Sequence, residues 1–192
     1  MASFYIHLAI AKRYVEKNNI KNPTEFFDGN VLPDIYKDKE NTHYGNRGES
    51  KDLIKRHLEK IGLKEFLAKN SLDNDINRGK FLHLYTDWEY YNNLLPKDYV
   101  QSIIDLNDFR LDLIYTGKYY NEYLVEKYCL TLDVISVKKE LEEILDKWTI
   151  EDNKTFGPNG PQGRLQFTAQ ELDDFIERMS SVDLDVLATQ IE

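Results

Sequence analysis

The stretch of residues 79–91, GKFLHLYTDWEYY, places a histidine and an aspartate four residues apart in an otherwise apolar and aromatic run. Side chains at this spacing project side by side from a helix, so the imidazole of His83 is expected next to the carboxylate of Asp87. The pair lies at the edge of an apolar stripe, where a carboxylate needs a cation or a hydrogen-bonded partner. The spacing therefore predicts either a local hydrogen bond or half of a metal site.

A long segment earlier in the chain supplies the same kinds of ligand. Residues 29–50, GNVLPDIYKDKENTHYGNRGES, contain Pro33, three glycines and no sustained hydrophobic period, which predicts a long functional or disordered loop. Asp34 and His43 lie in this loop, and carboxylate and imidazole ligands suit zinc and related metals. The alternative is that Asp34 caps a turn after the proline and that His43 faces solvent.

The two remaining histidines and the single cysteine have plainer contexts. His7 lies beside the apolar stripe of an N-terminal helix, and by itself it is expected to be a core histidine. His57, in the polar stretch DLIKRHLEKIG, is expected to be exposed. Cys129 forms no internal disulfide, and its apolar surroundings, EYLVEKYCLTL, predict a buried and unreactive thiol.

The elements that must position these residues are helices. Apolar residues recur at intervals of three and four along most of the chain, whereas strict alternation is scarce, which predicts an all-α fold. Asn22 followed by Pro23 marks one helix start, and Pro96 ends the helix that carries His83. The other predicted helices span residues 4–17, 22–29, 51–61, 63–69, 97–115, 119–130 and 134–148.

Composition divides the chain into three predicted parts. Residues 1–150 form a helical metal-binding domain, and residues 151–167, which include TFGPNGPQGRLQ, form a linker that contains glycine and proline. Residues 168–192 form an acidic C-terminal helix, which starts with a capping box of Thr168 and Glu171. This helix is expected either to dock on the bundle or to serve as a homo-oligomerisation arm.

Charge and hydropathy exclude several classes of function. The 192-residue chain has a formal net charge of -9, whereas a general nucleic-acid binder needs a basic surface. No apolar run approaches the roughly 18 residues of a membrane span, and charged residues follow the N-terminus too soon for a signal peptide. We therefore expect a soluble, cytoplasmic protein that acts on a small molecule.

In chain order, the sequence carries His7, then G-x-x-x-P-D ending at Asp34, then T-H-Y around His43, then G-x-x-x-H-x-x-x-D at residues 79–87. This order resembles the zinc-dependent phospholipase C family, which includes the catalytic domain of clostridial alpha-toxins and is distantly related to fungal single-strand-specific nucleases. The likeness covers roughly the first half of the chain. It implies a multi-helix bundle of the zinc-dependent phospholipase C type.

The resemblance also implies a ligand set. One zinc ion would be enclosed by four residues, Asp34, His43, His83 and Asp87. His7 would bind a second ion that shares Asp87, if a carboxylate such as Asp112 or Glu122 reaches it. No histidine follows His83, so a third ion is not expected.

The activity implied is zinc-dependent hydrolysis of a soluble phosphodiester or phosphomonoester. Asp34 is the expected catalytic base because a loop residue can move, and Arg47 and Arg78 are the expected phosphate clamps because arginine binds phosphate in a bidentate manner. The alternative is a non-catalytic helical binding or partner module that retains a structural metal or none.

Overall fold

The computed structural model describes residues 3–36, 39–46, 48–103, 105–156 and 162–191. Within these ranges every regular element is helical, which confirms the prediction of an all-α multi-helix bundle. The one extended pairing among them is an isolated antiparallel bridge between Tyr44 and Ile61. None of the described helices is long and apolar enough to cross a membrane.

The described residues form eleven α-helices, one π-helical turn and one 3-10 turn. In chain order these are α1 (Phe4–Lys17), α2 (Pro23–Ile35), α3 (Lys39–His43), α4 (Leu53–Leu58), α5 (Leu63–Leu67), α6 (Asp75–Glu89), the π turn (Tyr90–Leu94), α7 (Lys97–Ser102), α8 (Leu106–Lys127), the 3-10 turn (Leu132–Val134), α9 (Lys138–Phe156), α10 (Ala169–Met179) and α11 (Leu184–Ile191).

The loop predicted from Gly29 onward is wrong over its first part, because α2 continues through Pro33 to Ile35. Pro33 lies in the last turn of α2, so its missing N–H removes only one helical hydrogen bond near the end of the helix. Most of this turn is buried, and packing of α2 on α6 stabilises it. Asp34 is therefore a buried helix residue and not part of a mobile loop.

Two glycines allow α2 and α6 to cross with their backbones in contact. A Cβ at Gly29 would lie 2.0 Å from the carbonyl oxygen of Ile76, and a Cβ at Gly79 would lie 2.1 Å from the carbonyl oxygen of Phe26. Either methyl group would force the helices apart. The start of the crossing is tied by the N–H of Asn22, which donates to the Asp75 carboxylate at 2.6 Å.

The second half of the chain differs from prediction in its helix boundaries. Helix α8 runs without a break through Gly117, where two helices were expected, and α9 continues to Phe156, into the segment predicted as a linker. The C-terminal segment forms two helices, α10 and α11, separated by residues 180–183.

The C-terminal helices pack on the bundle. The predicted capping box of Thr168 and Glu171 is present at the start of α10. Glu177 of α10 accepts hydrogen bonds from Arg13 at 2.8 Å and from Lys17 at 2.7 Å, both on α1. The apolar side chains of α10 are buried, namely Leu172, Phe175, Ile176 and Met179. Two arrangements were expected for this segment, docking on the bundle or a homo-oligomerisation arm, and helix α10 adopts the docked one.

Candidate metal centre

Helices α1, α2, α3 and α6 bring all five predicted ligands into one buried cluster. Its members are His7 (1% exposed), Asp34 (9%), His43 (2%), His83 (0%) and Asp87 (0%). One ligand atom from each of His7, His83 and Asp87 lies within 4.8 Å of the other two, and the same holds for Asp34, His43 and His83. We call these five residues the His–Asp cluster.

The two carboxylate oxygens of Asp87 face different imidazoles. Oδ1 lies 3.2 Å from Nε2 of His7. Oδ2 lies 3.4 Å from Nε2 of His43 and 3.6 Å from Nε2 of His83. Burial by itself raises the pKa of the Asp87 carboxyl, but the adjacent imidazoles of His43 and His7 outweigh it and hold this pKa well below its usual range. Asp87 is therefore a buried carboxylate.

The backbone of α2 fixes the tautomer of His83. Nδ1 of His83 lies 2.7 Å from the main-chain carbonyl oxygen of Asn30, and because a carbonyl only accepts, Nδ1 carries the proton. Burial lowers the pKa of His83 to about 3, so the ring is neutral near pH 7. Its Nε2 consequently presents a lone pair to the cluster.

A hydroxyl does the same for His43. Thr42 Oγ1 donates to the carbonyl oxygen of Pro33 at 3.2 Å and lies 3.0 Å from Nδ1 of His43. Since its single proton is used on Pro33, Oγ1 accepts from Nδ1–H of His43. In the neutral ring, Nε2 of His43 is then bare, and it lies 3.4 Å from Nε2 of His83.

Three acceptor atoms therefore converge in the buried interior: the two Nε2 atoms and Oδ2 of Asp87. Such a set favours a hydrogen-bond donor or a cation between its members, which a proton on His43, a water molecule or a metal ion can supply. Imidazole and carboxylate are ordinary zinc donors, and the ligand atoms of Asp34, His43 and His83 lie within 4.8 Å of one another, as do those of His7, His83 and Asp87. The residues present fit a divalent metal.

His7 differs from the other two imidazoles. Its ring stacks on His83 with centroids 3.9 Å apart, and its Nδ1 is buried with no hydrogen-bond partner among the described residues. Among the described residues, no group thus fixes its tautomer through Nδ1. Neither Asp112 nor Glu122 belongs to the residues whose ligand atoms cluster with His7. Asp112 instead accepts from the Arg164 backbone N–H at 2.7 Å.

The segment that carries His43 is held by main-chain contacts. The N–H of Gly62 donates to the carbonyl of His43 at 2.8 Å, and Asn46 N–H donates to Glu59 at 2.7 Å. Tyr44, next to His43, adopts a left-handed φ of 62°. Non-glycine residues rarely hold this conformation, and such strain is concentrated at functional sites.

Of the two predicted phosphate clamps, Arg47 lies outside the described residues. Arg78 forms an ion pair of 2.8 Å with Asp185 on α11 and donates to the Leu72 carbonyl at 3.5 Å. The guanidinium of Arg78 thus connects α6 to α11.

Two predictions about single residues are wrong. His57 is half-buried and not exposed, because its ring stacks on Tyr91 with centroids 4.7 Å apart. Cys129 is exposed and not buried, because it follows the last turn of α8 with a left-handed φ of 48°.

Sequence reasoning did not identify Asn30 and Thr42 as partners of the cluster. Asn30 acts through its main-chain carbonyl, which gives no side-chain signal. Thr42 directly precedes His43, and a hydroxyl beside a suspected imidazole ligand is the one sequence signal that could have pointed to it.

The chain matches no protein-family model, no curated protein and no solved structure. The resemblance to the zinc-dependent phospholipase C family consequently rests on the order and spacing of the motifs alone, and it stays a hypothesis.

Proposed function

We propose that this chain is a metal-dependent hydrolase of soluble phosphoesters, in which Asp34, His43, His83 and Asp87 hold one divalent ion. The observation that carries the proposal is the convergence of the two Nε2 lone pairs with Oδ2 of Asp87 at 3.4–3.6 Å in a buried site. Zinc is the ion favoured by this donor set, because imidazole nitrogen disfavours magnesium and calcium. A second ion beside His7 is part of the proposal only if a further ligand joins it.

The chemistry divides among the residues. A bound divalent ion supplies Lewis-acid polarisation of a phosphoryl oxygen and lowers the pKa of bound water. Asp34 has the largest exposed fraction in the cluster, and it lies two residues before the exposed Tyr36. We assign it the removal of the proton from the attacking water. Nε2 of His7 lies 3.2 Å from Oδ1 of Asp87, so the other carboxylate oxygen, Oδ2, is directed at His43 and His83.

The metal is tested by elemental analysis after growth in zinc-supplemented medium. We expect about one equivalent in the wild type and a loss of the ion in His83→Ala and Asp87→Ala, since each removes a ligand. His57→Ala is the matched control: it removes a half-buried imidazole outside the cluster and should retain the ion. A wild-type protein without metal would contradict the site.

Turnover is tested with bis-p-nitrophenyl phosphate and p-nitrophenyl phosphate. We expect p-nitrophenol release that chelation abolishes, and a decrease of about 10²–10⁴-fold in kcat for Asp34→Asn, the range typical of a lost general base. Asp28→Asn is the control, because this buried carboxylate of α2 accepts from Ser136 at 2.8 Å and lies outside the cluster. Equal kcat values for Asp34→Asn and wild type would refute the role of Asp34.

A second candidate is the non-catalytic helical module with a structural metal. Its support is the burial of the cluster, since four of its five members are 0–2% exposed and closed sites are typical of structural zinc. Full metal occupancy without turnover over a broad panel of phosphoesters would favour this candidate over the hydrolase.

The proposal includes a cytoplasmic setting and a small-molecule substrate. Homo-oligomerisation through the C-terminal segment stays a prediction, for which the half-exposed Val186 of α11 offers an apolar contact.

A further inference from the structure

Thr42 makes two hydrogen bonds through its hydroxyl. Oγ1 lies 3.2 Å from the carbonyl oxygen of Pro33 and 3.0 Å from Nδ1 of His43. A hydroxyl has one proton, and only the hydroxyl can donate to a carbonyl, so the direction of both bonds is fixed. The order of donation runs from His43 Nδ1–H to Thr42 Oγ1, and from the Thr42 hydroxyl to Pro33.

We propose that Thr42 is a positioning residue of the metal centre, which selects the tautomer of His43 that has a bare Nε2. The proposal rests on the proposed metal site for its effect on affinity, although the effect on the tautomer is independent of metal. The same two bonds join α3 to the last turn of α2, where Pro33 directly precedes Asp34. One hydroxyl thereby orients one ligand and ties it to the backbone beside another.

A comparison within the cluster supports a specific role. Nδ1 of His83 donates a hydrogen bond to the Asn30 carbonyl in the same way, whereas Nδ1 of His7 has no hydrogen-bond partner among the described residues. The two imidazoles whose Nε2 atoms lie 3.4 Å apart are thus the two that have a partner at Nδ1. Such partners of metal-binding imidazoles typically change affinity by about 10–100-fold when removed.

The chain offers a matched control in Thr86, which is buried on α6 next to Asp87. Its Oγ1 has no hydrogen-bond partner among the described residues. Thr86→Val therefore changes the same atoms as Thr42→Val, close to the same cluster, without breaking a hydrogen bond.

The affinity experiment compares wild type, Thr42→Val, Thr42→Ser and Thr86→Val by titration with zinc against a chromophoric chelator. We expect Thr42→Val to bind zinc about 10–100-fold more weakly. Thr42→Ser, which keeps the hydroxyl, and Thr86→Val should bind within about threefold of wild type, because neither loses a partner of a ligand. Wild-type affinity in Thr42→Val, or no rescue by serine, would overturn the proposal.

The tautomer experiment uses metal-free protein labelled with ¹⁵N at histidine. Long-range ¹H–¹⁵N spectra should show the proton of His43 on Nδ1 in wild type and in Thr42→Ser, and a shift toward the Nε2–H form in Thr42→Val. An unchanged tautomer in the valine variant would overturn the role of Thr42 even if the metal binds. If wild type binds no zinc, the metal site fails while this spectrum still decides the role of Thr42. Should Thr42→Val unfold by circular dichroism, Thr42→Ala takes its place in both experiments.

Discussion

Replacement of Gly79 by alanine tests whether the crossing of α2 and α6 builds the cluster. The new Cβ would lie 2.1 Å from the carbonyl oxygen of Phe26 and 2.9 Å from the backbone nitrogen of Asn30. Non-bonded atoms pack at roughly 3.5–4.0 Å, so the helices must separate by about 1 Å or more. Both obstacles are backbone atoms, and no change of rotamer relieves them.

The size of the effect follows from two opposing contributions. Alanine gains about 1 kcal/mol over glycine in a helix interior, whereas overpacking costs roughly 1–3 kcal/mol and reaches the upper end where backbone must move. We therefore expect the free energy of unfolding to fall by about 2 kcal/mol. The Asn30 to His83 bond, now 2.7 Å, would lengthen past the hydrogen-bond limit, and metal affinity should fall by about 10–100-fold.

The assay is urea unfolding of metal-free protein, followed by zinc titration of the folded variant. Gly117→Ala is the control, because Gly117 is also inside a helix and, of the part of the chain that the structure describes, its Cβ would meet only Ser3 Cβ, at 3.4 Å. That variant should gain up to about 1 kcal/mol and keep its metal affinity. A Gly79→Ala protein that is as stable as Gly117→Ala would refute the close approach of the two backbones and its role in placing His83.

Two further changes test single residues whose environment the sequence did not predict. Burial lowers the pKa of His57 to about 3, below the ordinary value near 6.5, so unfolding takes up a proton between these values and stability decreases as pH falls through this window. His57→Phe keeps a ring against Tyr91 but removes the titrating group. It should reduce the slope of the unfolding free energy against pH by up to about 1.4 kcal/mol per pH unit between pH 6 and 4. An unchanged slope would contradict the lowered pKa of His57. Cys129 has a left-handed φ of 48°. Its N–H donates to the Glu126 carbonyl, and the N–H of Leu130 donates to the Val125 carbonyl. This is the pattern of a helix C-terminus that favours glycine. Cys129→Gly should raise the urea midpoint by the equivalent of about 1 kcal/mol, and a lower midpoint would contradict this interpretation.

The sequence alone predicted the helical class and the membership of the cluster. Periodicity of three and four residues reflects one buried face per helix, a local property that needs no knowledge of the partner. The spacing of His83 and Asp87 was sufficient to place both side chains on one face of α6. The capping box at Thr168 was likewise local, because its partner lies three residues away.

Helix continuity was decided by tertiary contacts. Pro33 and Gly117 are helix-breaking signals, yet α2 and α8 pass through them. At Pro33 the buried face of α2 packs on α6, which outweighs the loss of one hydrogen bond near the helix end. Local propensities are worth about 1–3 kcal/mol, and burial of several apolar side chains exceeds this amount.

The sequence therefore shows which residue types are available and on which helix face they lie. Tertiary contacts decided the tautomer of His83, through the carbonyl of Asn30, which is 53 residues from His83 along the chain. They also paired Arg78 with Asp185, which is 107 residues away along the chain. Both results depend on hydrogen-bond partners that only the packing of distant segments brings together, because a side chain's tautomer and its ion pair follow from its neighbours in space.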